Sequence, residues 1–121
     1  MARWLVGTSG YVDRDRLPRA ATWAAAGPPE FVFAVKASRF LTHVKRLNEP
    51  GPPLTRFLRR ARGLGGALGP VLIQLPSAFR LRLDRLDGLL RALSRRSHVR
   101  RVLEVRHASW LVDAWTRAGV A

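Results

Sequence analysis

Four short apolar runs set the terms for this chain. They are "RWLVGT" (3–8), "EFVFAVKA" (30–37), "PVLIQL" (70–75) and "VRRVLEVR" (99–106), each fenced by glycine, proline or a polar cluster. Runs this short and apolar, with such boundaries, read as strands buried on both faces, the mark of a parallel sheet. Between them the apolar residues return every three or four positions. "PLTRFLRRARGLG" aligns Leu54, Phe57, Leu58, Ala61 and Leu64, with Pro53 at a helix start and Gly65-Gly66 at its end. "LRLDRLDGLLRALSRR" does the same with Leu83, Leu86, Leu89, Leu90 and Leu93. An alanine-rich segment (17–27) and "SWLVDAWTRAG" (109–119), opened by Ser109, supply two weaker helices.

The resulting β-α-β-α-β-α-β-α order implies parallel strands joined by right-handed crossovers. An open doubly wound sheet and part of a (β/α)₈ barrel both satisfy it. A whole barrel needs about 250 residues, so a chain of 121 residues can supply about half of one. Periodicity leaves the two classes even. The turn "GTSGYV" after the first strand lacks the third glycine of a dinucleotide fingerprint and is not a P-loop.

Side chains alternate faces along a strand. Lys36 therefore shares a face with Val32 and Ala34, Gln74 with Leu72, and Glu104 and Arg106 with Val102. Trp4, Val6 and Thr8 form the corresponding series in the first strand. Each such face turns polar only at its last positions. Parallel strands send their C-terminal ends to one side, so Thr8, Ser9, Lys36, Gln74, Glu104 and Arg106 are expected at one rim, with His43 and His107 on the loops beyond. Proteins of (β/α) architecture keep their chemistry there, because loops can vary while strands stay rigid. A lysine neutralised by burial serves as a base or imine-former, and a charged one holds an anion.

Each of these residues also has a structural reading. Lys36 alone is a strand-end lysine reaching for water. Glu104 and Arg106 can brace the sheet as an ion pair, Gln74 can satisfy a backbone group, and His43 can be a plain loop histidine. His107 can cap the final helix, Trp110 and Trp115 suit a core better than a ligand, and His98 reads as exposed. His43, His107 and Glu104 lack the tight spacing of a metal site. No cofactor is specified.

Charge bears on the choice of partner. There are 22 basic against 8 acidic side chains, a net charge of +14, which invites phosphate-backbone binding. Yet Lys36 and Lys45 are the only lysines, and the arginines, set among abundant alanine, glycine, proline and leucine, look like a compositional bias. No basic stretch is interleaved with aromatics as in single-strand binders, so a solvated basic surface is preferred over nucleic acid. The chain has no cysteine, which excludes disulfides and thiolate chemistry and fits a cytoplasmic protein. No apolar run is long enough for a membrane span.

Four motifs in order resemble the YecE-like family, domain of unknown function 72 (DUF72). They are "GTSGY", with Tyr11 where the family has tryptophan; "FVFAVKASRFLTHVKRL", carrying Lys36, Thr42 and His43; "GPVLIQLPSAF", with Gln74 and Pro76; and "EVRHASW", with Glu104, Arg106, His107, Ser109 and Trp110. The resemblance spans residues 3–110. It implies a TIM-barrel-like fold with a polar pocket at the C-terminal rim and no established activity, which tips the even choice towards the barrel. The family pattern has a further strand after the first, with a glutamate and a tyrosine that look like pocket residues. Here "YVDRDRLPRAATWAAAGPPE" bridges that interval directly, and the pattern continues beyond "TRAGVA". The expectation is one incomplete barrel domain over residues 1–121, about four parallel strands alternating with helices.

On this reading Lys36, Glu104 and His107 are the candidate catalytic residues. Thr8, Ser9, His43, Gln74, Arg106 and Trp110 are the candidate ligand-binding residues, for an unknown small polar or anionic molecule in a site impaired by the missing strands. Two alternatives stand beside it: a basic nucleic-acid-binding module, and a half barrel that completes itself by self-association.

Overall fold

The computed structural model describes residues 5–8, 24–26, 29–96 and 99–111. Four strands, β1 (Leu5–Thr8), β2 (Val32–Lys36), β3 (Leu68–Gln74) and β4 (Arg101–Glu104), form one sheet in the order β1-β2-β3-β4. Every neighbouring pair is parallel. Helix α1 (Gly51–Ala61) leads through a 3₁₀ segment, Arg62–Ala67, into β3, and α2 (Leu83–Ser94) connects β3 to β4. β1 and β2 are hydrogen-bonded neighbours, so no further strand stands between them.

Strand order decides the fold class. Right-handed crossovers that always step to the next strand in the same direction place every helix on one side of the sheet. A doubly wound sheet needs a reversal of order at a switch point, and this sheet has none. The helices accordingly share one layer: Leu54, Phe57, Leu58 and Ala61 of α1 and Leu86, Leu89 and Leu93 of α2 join Val35, Val71, Ile73 and Leu75 in one core cluster. This is the wall of a partial (β/α)₈ barrel, helices outside and an inner sheet face opposite.

The two faces differ in burial. β3 alternates strictly, with Gly69, Val71 and Ile73 buried and the residues between them half-buried. The inner face, comprising Val32, Ala34, Leu72 and Val102, is half-buried at best, and Val102 is 52% exposed. The expectation of strands buried on both faces is therefore met on the helix side only. No second layer covers the inner side among the described residues.

The predicted apolar face of α1 is buried throughout, Leu64 included. In α2, Leu83 and Leu90 are exposed instead. At 100° per residue they lie roughly 70–90° around the helix from the centre of the Leu86–Leu89–Leu93 stripe, too far round to reach the sheet. The helix expected over 17–27 falls outside the described residues except for the helical Ala24–Ala26, and the one expected over 109–119 appears only as the 3₁₀ turn Ala108–Trp110 before the described residues end at 111. His98 and Trp115 lie outside the described residues too. None of the described helices is long and apolar enough to cross a membrane.

One glycine sets the sheet's register. Phe33 pairs with Leu68 but Val35 with Val71, so β3 carries an extra residue there, a bulge at Gly69-Pro70. A Cβ on Gly69 would stand 2.5 Å from Val32 Cγ1 and 2.9 Å from the Phe33 carbonyl oxygen. Neither neighbour gives way easily, since one is a stiff β-branched group and the other is backbone. Gly69→Ala should therefore cost about 1–3 kcal/mol, the usual penalty of overpacking. Gly88, inside α2 with nothing within 4 Å of its would-be Cβ, should behave oppositely: Gly88→Ala should gain about 0.8–1 kcal/mol of helix propensity. Urea unfolding midpoints of the two variants check both signs.

Candidate functional site

The residues that end β2, β3 and β4 meet at one rim of the inner face. Lys36 pairs with Leu72, Leu72 with Val102, and Gln74 with Glu104. Paired residues of parallel strands share a face, so Lys36, Gln74 and Glu104 all belong to the inner side. The Gln74 amide donates from Nε2 to Glu104 Oε1 at 3.0 Å. That bond fixes the carboxylate, and among the described residues Glu104 Oε2 and Gln74 Oε1 accept no other hydrogen bond. Ion pairs among the described residues join Lys45 to Glu49, Asp84 to Arg82 and Arg85, and Asp87 to Arg91. Glu104 forms none with Lys36 or Arg106, and the bracing pair considered from the sequence is not made.

The first strand departs from expectation. Thr8 pairs with Val35, and Gly7 with Ala34. Thr8 thus belongs to the row of Val35, on the helix side, and the inner-face positions of β1 are Leu5 and Gly7. A one-residue offset in register exchanges the two faces of a strand, and nothing inside "RWLVGT" marks the offset. Ser9 lies outside the described residues.

After β2 the chain makes a π-helical turn over Phe40–Val44, closed by the Lys45 amide donating to the Phe40 carbonyl at 2.8 Å. Ser38 starts it, its hydroxyl accepting from the Phe40 amide. Leu41 and Thr42 point inward and are buried. Arg46 and Leu47 then take left-handed φ values of 48° and 64°, which return the chain so that Leu47 is buried as well. Between these anchors His43 stays half-buried at the rim. Its Nδ1 lies 2.7 Å from Thr42 Oγ1, which is 3.3 Å from the Ser38 carbonyl. When the hydroxyl gives its one proton to Ser38, Nδ1 carries the ring hydrogen and Nε2 presents a lone pair.

Electrostatics reveal what surrounds this histidine. Its pKa is pushed below the ordinary imidazole value, first by desolvation and then by the positive charges of Arg39, Lys36, Arg106 and Arg46. Lys36 comes from the end of β2 and Arg106 from beyond β4, so two separate strands deliver cations to one imidazole. Arg39 and Arg46 are absent from the residues expected from the sequence. Their signal is present there, since Arg39, His43 and Arg46 follow the four-and-three spacing of a helical face, but the segment reads as a loop.

Beyond Glu104 and Arg106, His107 and Ser109 tie the chain down. His107 Nδ1 accepts from the Ser109 amide at 3.1 Å, capping the 3₁₀ turn, and lies 2.8 Å from Ser109 Oγ. Ser109 Oγ in turn accepts from the Leu81 amide at 2.8 Å. The cap reading of His107 thus describes its geometry, with the final turn in place of the expected helix. Trp110 is fully buried, stacks on Phe79 at 5.9 Å between centroids and donates from Nε1 to the Phe79 carbonyl at 2.7 Å. Its position is that of a core residue.

A lowered histidine pKa links the rim to stability. Between His43's folded pKa and its unfolded value of ~6.5, the unfolded chain binds more protons than the folded one. The contribution to stability is complete above ~6.5 and is lost as the pH falls through the folded value. An NMR titration of the His43 ring should give a midpoint below ~6.5. Lys36→Ala and Arg106→Ala should each raise that midpoint, because each removes a like charge.

Comparison with known proteins agrees with the geometry. A solved DUF72 family protein from Thermotoga maritima superposes with a TM-score of 0.71 at 22% identity, over 96% of this chain and 47% of its own. One from Enterococcus faecalis V583 gives 0.74 at 19% identity, over 95% of this chain and 44% of its own. This chain thus spans less than half the length of either, and the likeness is one of fold. No curated protein matches the chain. The model of the family described as "Protein of unknown function DUF72" matches residues 12–120. With nearly the whole chain matched and the barrel wall shared, the chain belongs to the DUF72 family, whose biochemical activity is unknown.

Proposed function

We propose that the C-terminal rim binds a small polar molecule carrying an anionic group. The observation that supports this is the convergence of Lys36, Arg39, Arg46 and Arg106 on His43. Lys36 and Arg106 make no ion pair among the described residues, so their charge is available to a ligand. A charged lysine suits holding an anion rather than forming an imine. The open acceptors of Gln74 and Glu104 suit a hydroxyl or amine on the same ligand.

His43, held towards its neutral form, is the rim group suited to exchange a proton with such a molecule. His107 is less suited, with Nδ1 engaged by Ser109. These groups support binding more directly than any one reaction. A cytoplasmic setting fits a cysteine-free chain.

Titration with inorganic phosphate and with citrate, followed at the His43 ring by NMR, tests the reading. Saturable binding is expected, weakening with added salt and absent for a neutral polyol. Lys36→Met should lower affinity about tenfold, the worth of one charge-assisted hydrogen bond. Glu104→Gln should strengthen anion binding by removing a repulsive charge. Failure of both anions to saturate the folded protein would sink the proposal, as would wild-type affinity in Lys36→Met.

A further inference from the structure

Thr42 is the one fully buried polar side chain among the described residues, and its hydroxyl touches the imidazole at the rim. We infer that Thr42 is a positioning residue that sets specificity: it locks His43 with its proton on Nδ1 and a lone pair on Nε2, so that the rim selects anions carrying a hydrogen-bond donor beside the anionic group. That selectivity rests on the anion-binding reading above and names the class of ligand within it.

The tautomer follows from counting protons. Thr42 Oγ1 stands between two groups, 3.3 Å from the Ser38 carbonyl oxygen and 2.7 Å from His43 Nδ1. A hydroxyl has one hydrogen to give and lone pairs with which to receive. The carbonyl only accepts, whereas an imidazole nitrogen can take either role. One assignment therefore satisfies both contacts: the hydroxyl donates to Ser38, and the Nδ1 hydrogen is donated to the hydroxyl. The reverse sets the lone pairs of two oxygens against each other inside a buried turn, where water does not screen them. The bond back to the carbonyl four residues earlier is also the ordinary one for threonine in a helical turn.

The free nitrogen is then an acceptor. Burial and the charges of Arg39, Lys36, Arg106 and Arg46 hold the ring towards its neutral form, which preserves the lone pair near neutral pH. No hydrogen bond to Nε2 is formed among the described residues. The cations that attract an anion thus keep an acceptor beside it. A hydroxyl next to a carboxylate or phosphate meets both features, and a bare anion meets only one. His107 shows the opposite setting. Its Nδ1 accepts from the Ser109 amide, so its neutral ring carries the proton on Nε2. In each case the partner of Nδ1 decides what the other nitrogen offers.

Two measurements on the full chain, above pH ~6.5 where the ring is neutral, test this. Long-range proton–nitrogen NMR correlations report the tautomers without any ligand: His43 should be protonated at Nδ1 and His107 at Nε2. Malate and methylsuccinate, dicarboxylates that differ by a hydroxyl against a methyl, report selectivity. Malate should bind about fivefold more tightly, the worth of one neutral hydrogen bond. Thr42→Val puts a methyl in place of the hydroxyl. It should release the Nδ1 tautomer and bring malate down to the affinity of methylsuccinate, with methylsuccinate itself unaffected. Thr42→Ser keeps the hydroxyl and should restore both.

A wild-type His43 protonated at Nε2 would overturn the inference. So would a preference for malate that survives in Thr42→Val, which would assign the selection to Gln74 and Glu104 instead. Should Thr42→Val fail to fold, the wild-type tautomer and the wild-type preference decide. Equal binding of the two dicarboxylates overturns this inference and leaves the anion-binding reading standing, whereas binding of neither overturns that reading and the selectivity with it.

Discussion

The handedness of the β-α-β crossover is the constraint on which the rest depends. A right-twisted strand feeding a right-handed helix packs back on the sheet in one sense only. With each strand laid beside the last in unbroken order, that rule sends α1 and α2 to one side, where their leucines bury Val35, Val71 and Ile73. The other side receives nothing from the described residues. Both the dry core and the open inner face follow from one steric preference. So does the rim: parallel strands that never reverse must end together, and polar residues placed late in three of them are gathered without any further specification.

What turns a shared rim into a site is how firmly its loops are held. Leu41 and Leu47, either side of His43, are buried almost completely. Reaching that position puts Arg46 and Leu47 in the left-handed region, a cost of roughly 1–2 kcal/mol for each residue. Burial of a leucine side chain is worth about 1.5–3 kcal/mol, so the core can hold the turn in place. The loop after β4 is held differently, by the Leu81–Ser109–His107 chain of hydrogen bonds and by Trp110 against Phe79. In each loop the buried residues fix the path.

Much of this is legible in the sequence, for reasons that also explain the failures. Strand runs bounded by glycine and proline, and the five-residue stripe of α1, are local signals that tertiary contacts only reinforce. Lys36, Gln74 and Glu104 can be given a common face because each strand's own alternation suffices for that. Thr8 is misassigned because its face depends on pairing with β2, and pairing is not encoded within four residues. The bulge at Gly69 is of the same kind, visible only once Val32 and Phe33 stand beside it. Trp110 reads from the sequence as better suited to a core than to a ligand, but the partner it packs on, Phe79, thirty-one positions away, is visible only in the fold. The His43 turn reads as a loop because a single π-helical turn offers only one four-and-three spacing, Arg39, His43 and Arg46, too little to mark a helix.

The excess of arginine acquires meaning only through location. Arg59, Arg60 and Arg62, at the end of α1 and just beyond, are exposed, and Arg56 rests over the Phe40 ring at 5.6 Å. Charges in that setting are screened within about 8–10 Å at ordinary salt and perturb little around them. Lys36 and Arg106 differ because they converge on a partly desolvated imidazole, where water screens them less and their repulsion is expressed in its proton affinity. The same formal charge is therefore screened on the helix and felt by His43 at the rim, and the difference is made by the strands and the loop that bring Arg39, Lys36, Arg106 and Arg46 near one imidazole.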